Sequence, residues 1–177
     1  MPTYISMLRG INVGGQKKIK MADLRKFYQS LGYKAVQSYI QSGNVVFQVS
    51  EKDTTNLEKT IVTAIRDKYG FDVTVIVRTP QEFNTIVKNN PFSNKDTGRI
   101  YVTFLSEIPT DFPRDRLSSA QNGQEEFQLS EQEIYLFMPD GYGRTKLSNN
   151  FFERVLGVGA TTRNWRTVNR LLEMAKS

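Results

Sequence analysis

The chain has no cysteine and no histidine among its 177 residues. Without cysteine there can be no disulfide, thiolate nucleophile or cysteine metal site, which suits a reducing cytosol. Without histidine the commonest general base and the commonest metal ligand are both missing. A Ser-His-Asp triad or a His-rich zinc site therefore cannot be built within this chain. No run approaches the roughly 20 apolar residues that span a bilayer. The opening Met1-Pro2-Thr3-Tyr4 leads directly into a strand pattern, so no secretory signal and a cytoplasmic location are expected. Carboxylates are scarce in the polar motifs described below, with only Asp140 and Glu153 nearby. A two-carboxylate glycosidase pair or an oxygen-rich metal cage has little to draw on, and no metal site is expected. No cofactor is named by the residues, although Mg²⁺ carried in by a nucleotide phosphate is compatible with them.

What is present is an ordinary globular composition with a basic excess. Hydrophobic residues make up 38% and charged residues 24%, enough for a sizeable core and against disorder. Lys and Arg number 24 against 18 Asp and Glu, a net charge of +6, which favours phosphate-bearing partners through the summed field. The excess is concentrated in Gln16-Lys17-Lys18-Ile19-Lys20 and in Arg163-Asn164-Trp165-Arg166.

Periodicity and turn residues predict strand 3–8, a glycine-bearing basic loop 9–20, helix 21–31 closed by Gly32, and a hairpin of strands 34–40 and 44–49. Helix 54–69 and strand 72–78 complete a strand-helix-strand-strand-helix-strand order, the split βαβ or ferredoxin-like arrangement. Pro80 opens a helix to about residue 88, and loop 91–98 is the expected lobe boundary. Then come strand 99–105, helix 111–121, strands 125–129 and 133–138, loop 139–147, and helices 148–156 and 164–176. The expectation is an α+β protein of two ferredoxin-like halves, the second incomplete and closed by C-terminal helices. Residues 1–90 form the first lobe with its connecting helix, and residues 91–177 the second.

Four stretches carry the polar chemistry: Leu8–Gly15, Tyr39–Val45, Pro139–Leu147 and Thr161–Val168. In content and order they resemble the bacterial family known as domain of unknown function 1697, over nearly the whole chain. The resemblance implies a two-lobed α+β fold and carries over no activity, cofactor or catalytic residue.

Each stretch admits a binding role and a plain structural one. The loop from Arg9 to Lys20 can offer backbone N–H groups to phosphate, with Arg9, Lys17, Lys18 and Lys20 adding charge. It matches neither the Walker nor the dinucleotide glycine pattern, and a tight turn with solvated lysines explains it equally. Gln41 and Asn44 can present amides to a base or sugar, or simply serve a hairpin turn. Strand 44–49 offers one aromatic, Phe47, in phase with the apolar set, which argues against RNA stacking on the sheet. Arg144 and Lys146 precede a helix start that Ser148 can cap. Asn164 or Thr162 can cap the last helix, on which Arg163, Arg166 and Arg170 are expected to neighbour one another. Trp165 is expected in the core with Val168, Leu171 and Leu172.

The sequence thus points to an anion site drawn from Arg9, Asn12, Lys20, Gln41, Asn44, Arg144, Lys146, Arg163, Asn164 and Arg166. The expected ligand is a nucleotide or phosphorylated metabolite, bound in a basic cleft between lobes. No catalytic residue can be named. The alternatives are a non-catalytic nucleic-acid-binding module, with Lys17 and Lys18 as phosphate contacts, and a structural or protein-interaction role. No membrane partner is expected, and a monomer is favoured over an oligomer.

Overall fold

The computed structural model describes residues 1–177. It contains two four-stranded antiparallel sheets and six α-helices. The chain falls into two compact units. One comprises Met1–Thr85 and Arg170–Ser177, the other Ile86–Asn169.

In the first unit the order is β1 (Thr3–Leu8), α1 (Met21–Ser30), β2 (Lys34–Tyr39), β3 (Asn44–Gln48), α2 (Thr54–Tyr69), β4 (Val75–Arg78) and the start of α3 (Pro80–Lys88). The strands lie in the order β2-β3-β1-β4. β1 is central and buried on both faces, which is why its sequence reads as a nearly continuous apolar run. On one face Tyr4, Leu8, Val45, Phe47, Val75 and Val77 pack with Leu24, Phe27 and Tyr28 of α1 and Leu57, Ile61 and Ile65 of α2. Each such large apolar side chain contributes roughly 1.5–3 kcal/mol on burial. Phe47 is fully buried and stacks on Tyr33 with ring centroids 4.7 Å apart, so it offers no exposed platform for a base.

Helix ends follow local chemistry. The Asp53 carboxylate accepts from Thr55 N and Asn56 N at the start of α2, and Gly70 closes that helix at φ +78°. Around Pro80 at the start of α3 the Glu82 N–H donates to Thr79 Oγ1 at 3.1 Å and the Thr79 N–H donates to Glu82 Oε2 at 2.8 Å, a capping box with proline in the first turn.

The second unit runs from the end of α3 through a single 3₁₀ turn (Thr97–Arg99), β5 (Ile100–Leu105), α4 (Arg114–Ser118), β6 (Glu126–Ser130), β7 (Glu133–Phe137), α5 (Asn149–Leu156) and β8 (Ala160–Asn164) into α6 (Trp165–Lys176). Its strands are ordered β6-β7-β5-β8. The second half is therefore not incomplete: β8 occupies the place that β4 holds in the first. Only five residues long, β8 reads Ala-Thr-Thr-Arg-Asn, too polar and short for alternation to reveal it, yet Ala160, Thr161 and Arg163 are buried. The expected helix 111–121 shrinks to Arg114–Ser118, because Pro113 disfavours helical geometry at the residue before it. Trp165 is half-buried rather than core, while Val168, Leu171 and Leu172 are buried as expected.

Registering the two sheets aligns Tyr4-Ile5-Ser6-Met7-Leu8 with Tyr101-Val102-Thr103-Phe104-Leu105. Ile5 pairs with Val46 and Arg78, and Val102 pairs with Tyr135 and Arg163. A buried arginine thus occupies the same register position on the corresponding edge strand of each sheet.

Candidate functional site

In the first unit, the loop after β1 is held in place by its own side chains. Val13 and Gln16 close a tight turn in which Gly14 and Gly15 both have positive φ, the geometry of a two-residue hairpin loop that glycine adopts freely. Asn12, at φ +60°, clamps this loop. Its Oδ1 accepts from Ile19 N at 2.9 Å, and its Nδ2 donates to Ile19 O at 2.9 Å and to Gln41 O at 2.8 Å. Lys17 donates through Nζ to Asp72 O at 2.7 Å, so this lysine is tied to the backbone, whereas Lys18 and Lys20 are exposed.

The β2–β3 turn meets that loop at Gln41. Ile40 stands at φ +50° with an exposed side chain, an uncommon conformation for a β-branched residue. Asn44 is buried, and its amide donates to Tyr39 O and Ser42 Oγ at 3.1 and 2.9 Å. Gly43 has φ +82°, and a Cβ there would lie 2.9 Å from Leu8 Cβ.

Between these loops and the end of α2 lies a cleft of about 580 Å³, lined by Asn12, Gly15, Lys18, Ile19, Lys20, Asp23, Gln41 and Tyr69. The first turn of α1 forms part of its wall. The N-cap of that helix, Lys20, makes no side-chain capping bond, so the first N–H groups of α1 have no cap and their partial positive charge adds to the two lysines. At the opposite end of the charge scale, Asp23 sits in the same wall. The Tyr69 hydroxyl is buried without a hydrogen-bond partner. Burial, and secondarily the Asp23 carboxylate, raise its pKa above the usual tyrosine value.

Of the residues singled out in the sequence, Asn12, Lys20 and Gln41 share this cleft. Arg9 follows β1 half-buried, its backbone N–H donating to Thr74 O at 3.0 Å. Arg144, Lys146, Arg163, Asn164 and Arg166 belong to the second unit. There Arg144 and Lys146 are exposed on the loop before α5, whose first turn is capped by Ser148 Oγ accepting from Phe151 N at 3.3 Å. Arg163 lies on β8 and not on a helix beside Arg166 and Arg170, because the strand persists to Asn164. Its guanidinium donates to Thr161 Oγ1 at 2.8 Å and Thr162 O at 3.1 Å, and burial lowers its pKa to about 10. Asn164 Oδ1 accepts from Thr167 N at 2.8 Å and caps α6.

Asp23 and Tyr69 escaped the sequence reading. Asp23 looks like any acid in a first helical turn, and Tyr69 ends a helix 46 positions further on, with no motif around it. No group of three or more acidic side chains converges to hold a metal ion. No helix is long and apolar enough to cross a membrane.

The conserved bacterial protein SP0830 from Streptococcus pneumoniae is similar over 98% of each chain, with 26% identity and a TM-score of 0.74. No curated protein matches the chain. A family model described as "Protein of unknown function (DUF1697)" matches residues 1–135, which include the Leu8–Gly15 and Tyr39–Val45 stretches. The chain belongs to the DUF1697 family.

Proposed function

We propose that the first unit binds a small phosphate-bearing ligand, a nucleotide or phosphorylated metabolite, in the cleft beside the 9–20 loop. The observation that carries this reading is the meeting of an uncapped helix N-terminus with Lys18 and Lys20 in one concave site. Helix N-terminal N–H groups and nearby ammonium groups both favour an anion. A volume of about 580 Å³ falls within the range of small-molecule sites. The buried Phe47 and the concave shape favour a small ligand over a nucleic-acid strand, which would use exposed aromatics and an extended basic track. The element and strand orders support reading each half as ferredoxin-like.

The test is a thermal-shift series with phosphorylated metabolites, nucleotides and short oligonucleotides. A ligand at about 100 times its dissociation constant adds roughly 2.7 kcal/mol. The expected result is a shift from a small phosphate compound that disappears in the Lys18→Ala/Lys20→Ala double variant. A shift from oligonucleotides alone, steeply weakened by salt, or no shift at all, would overturn the reading.

A further inference from the structure

The first sheet ends in the edge strands β2 and β4, the second in β6 and β8. A strand edge presents main-chain N–H and C=O groups that invite another chain, and proteins blunt or cover such edges. On β4 the Val77 N–H donates to Glu58 Oε2 at 2.8 Å, and the Arg78 guanidinium donates to Val77 O at 3.3 Å. On β8 the Ala160 N–H donates to Glu153 Oε2 at 3.2 Å, and the Arg163 guanidinium donates to Thr162 O at 3.1 Å. A helix glutamate and the strand's own arginine thus seal both. β2 is broken by a bulge between Lys34 and Gln37, where Ala35 stands at φ +49°.

β6 has neither device. Its register with β7 is unbroken from Glu126 to Ser130. The Leu105 N–H donates to Gln132 O at 2.8 Å. By alternation, the main-chain groups of Ile134 and Leu136 face β5, and those of Glu133, Tyr135 and Phe137 face β6. Glu126, Gln128 and Ser130 therefore bond to β7, and the N–H and C=O groups of Phe127 and Leu129 point away from the sheet. The side chains of Phe127 and Leu129 pack on the core of the second unit, whereas Gln128 is exposed.

We propose that β6 pairs antiparallel with β6 of a second copy of this chain, about a two-fold axis at Gln128. In that register the segment matches itself. Phe127 stands opposite Leu129 of the partner subunit, so the outward main-chain groups bond in both directions and the apolar side chains continue across the joint. On the other face Gln128 meets Gln128 of the partner subunit, amide to amide, and Glu126 meets Ser130 of the partner subunit, carboxylate to hydroxyl. No like charges are opposed, and Lys95 balances Glu126 at 3.5 Å. This self-match favours a second copy over an unrelated strand, and the contact is isologous, so it closes as a dimer. It is independent of the phosphate cleft in the first unit.

The experiment is sedimentation velocity of the full chain from micromolar to millimolar concentration. The native chain is expected to show a reversible monomer–dimer equilibrium. Gln128→Lys and Gln128→Glu each set like charges face to face across the axis and should weaken association at least about tenfold. An equimolar mixture of the two variants sets lysine against glutamate and should dimerise at least as tightly as the native chain. Because position 128 is exposed, both variants should melt like the native chain in dilute solution, so lost association is not lost folding. A native chain that stays monomeric throughout the range would overturn the proposal. So would undiminished association of either variant, or a mixture that stays monomeric.

Discussion

The side-chain amide of Asn12 donates to the backbone carbonyl of Gln41 at 2.8 Å, across 29 positions of sequence. With its two bonds to Ile19, this contact ties the glycine loop after β1 to the β2–β3 turn and so sets the distance between two walls of the cleft. Replacing Asn12 by Ala removes those bonds, leaves the Ile19 N–H without its acceptor, and leaves at φ +60° a residue that tolerates the left-handed region less well than asparagine. A loss of about 2–3 kcal/mol is expected in urea unfolding. Asn12→Gly keeps the backbone conformation and should recover about 1 kcal/mol of it. Equal stabilities for both variants would show that backbone strain plays no part.

Gly43 is constrained twice, by its φ of +82° and by the 2.9 Å approach of any Cβ to Leu8 Cβ. Gly43→Ala is expected to cost about 2–4 kcal/mol, combining a left-handed backbone with overpacking against a central strand. Gly14 also has positive φ, but nothing lies within 4 Å of its hypothetical Cβ, so Gly14→Ala should cost only about 1 kcal/mol. Similar melting shifts for the two would contradict the packing argument.

Lys18→Ala/Lys20→Ala changes two exposed side chains. Stability in the absence of ligand should move by no more than about 0.5 kcal/mol. A larger loss would mean that these lysines support the fold.

Arg163 is the reverse case. Its buried guanidinium serves Thr161 and Thr162, so Arg163→Ala should destabilise by about 1–3 kcal/mol. Lysine, lacking the planar fork, should restore little of this. A stable Arg163→Ala protein with altered ligand binding would instead return this residue to the list of ligand contacts.

Alkaline stability follows from buried tyrosines. The Tyr135 hydroxyl donates to Ile86 O at 2.7 Å, and burial, with a smaller contribution from Glu133, raises its pKa to about 12. Because the folded value exceeds the unfolded value of about 10, this stabilisation is complete below pH 10 and is lost as pH rises through about 12. Tyr28 is shifted in the same direction by burial. Arg163 works oppositely: below pH 10 its charge is buried at full cost, and that cost is relieved above it. The native chain minus Tyr135→Phe difference isolates the tyrosine. The variant should be about 1 kcal/mol less stable at neutral pH, with the difference shrinking between pH 10 and 12. A difference that stays constant across that window would contradict the burial-driven shift.

Much of the fold was legible in the sequence because local chemistry and tertiary packing agree. Asp53 and Gly70 bracket α2, Pro80 opens α3, and Ser148 caps α5, each by the residue type that its position requires. β8 was not legible, since Thr161, Thr162 and Arg163 are polar residues whose burial depends on pairing with β5. The correspondence of Tyr4–Leu8 with Tyr101–Leu105 is fixed by strand register; the flanking Tyr and Leu are identical, but at the three positions between them only shape and polarity are kept, too little to stand out in a sequence read alone. Within the cleft, Asn12, Lys20 and Gln41 announced themselves through glycine, charge and turn chemistry. Asp23 and Tyr69 did not, because a buried hydroxyl without a partner is a property of three-dimensional surroundings alone.

The most direct test of the cleft is a titration of the isotope-labelled chain with ribose 5-phosphate, followed by backbone amide chemical shifts. The account predicts saturable shifts at Lys18, Lys20, Asp23 and Gln41, and weak ones at Arg144 and Lys146. Shifts centred on the Gly141–Leu147 loop, or none at saturating ligand, would contradict a phosphate site at the start of α1.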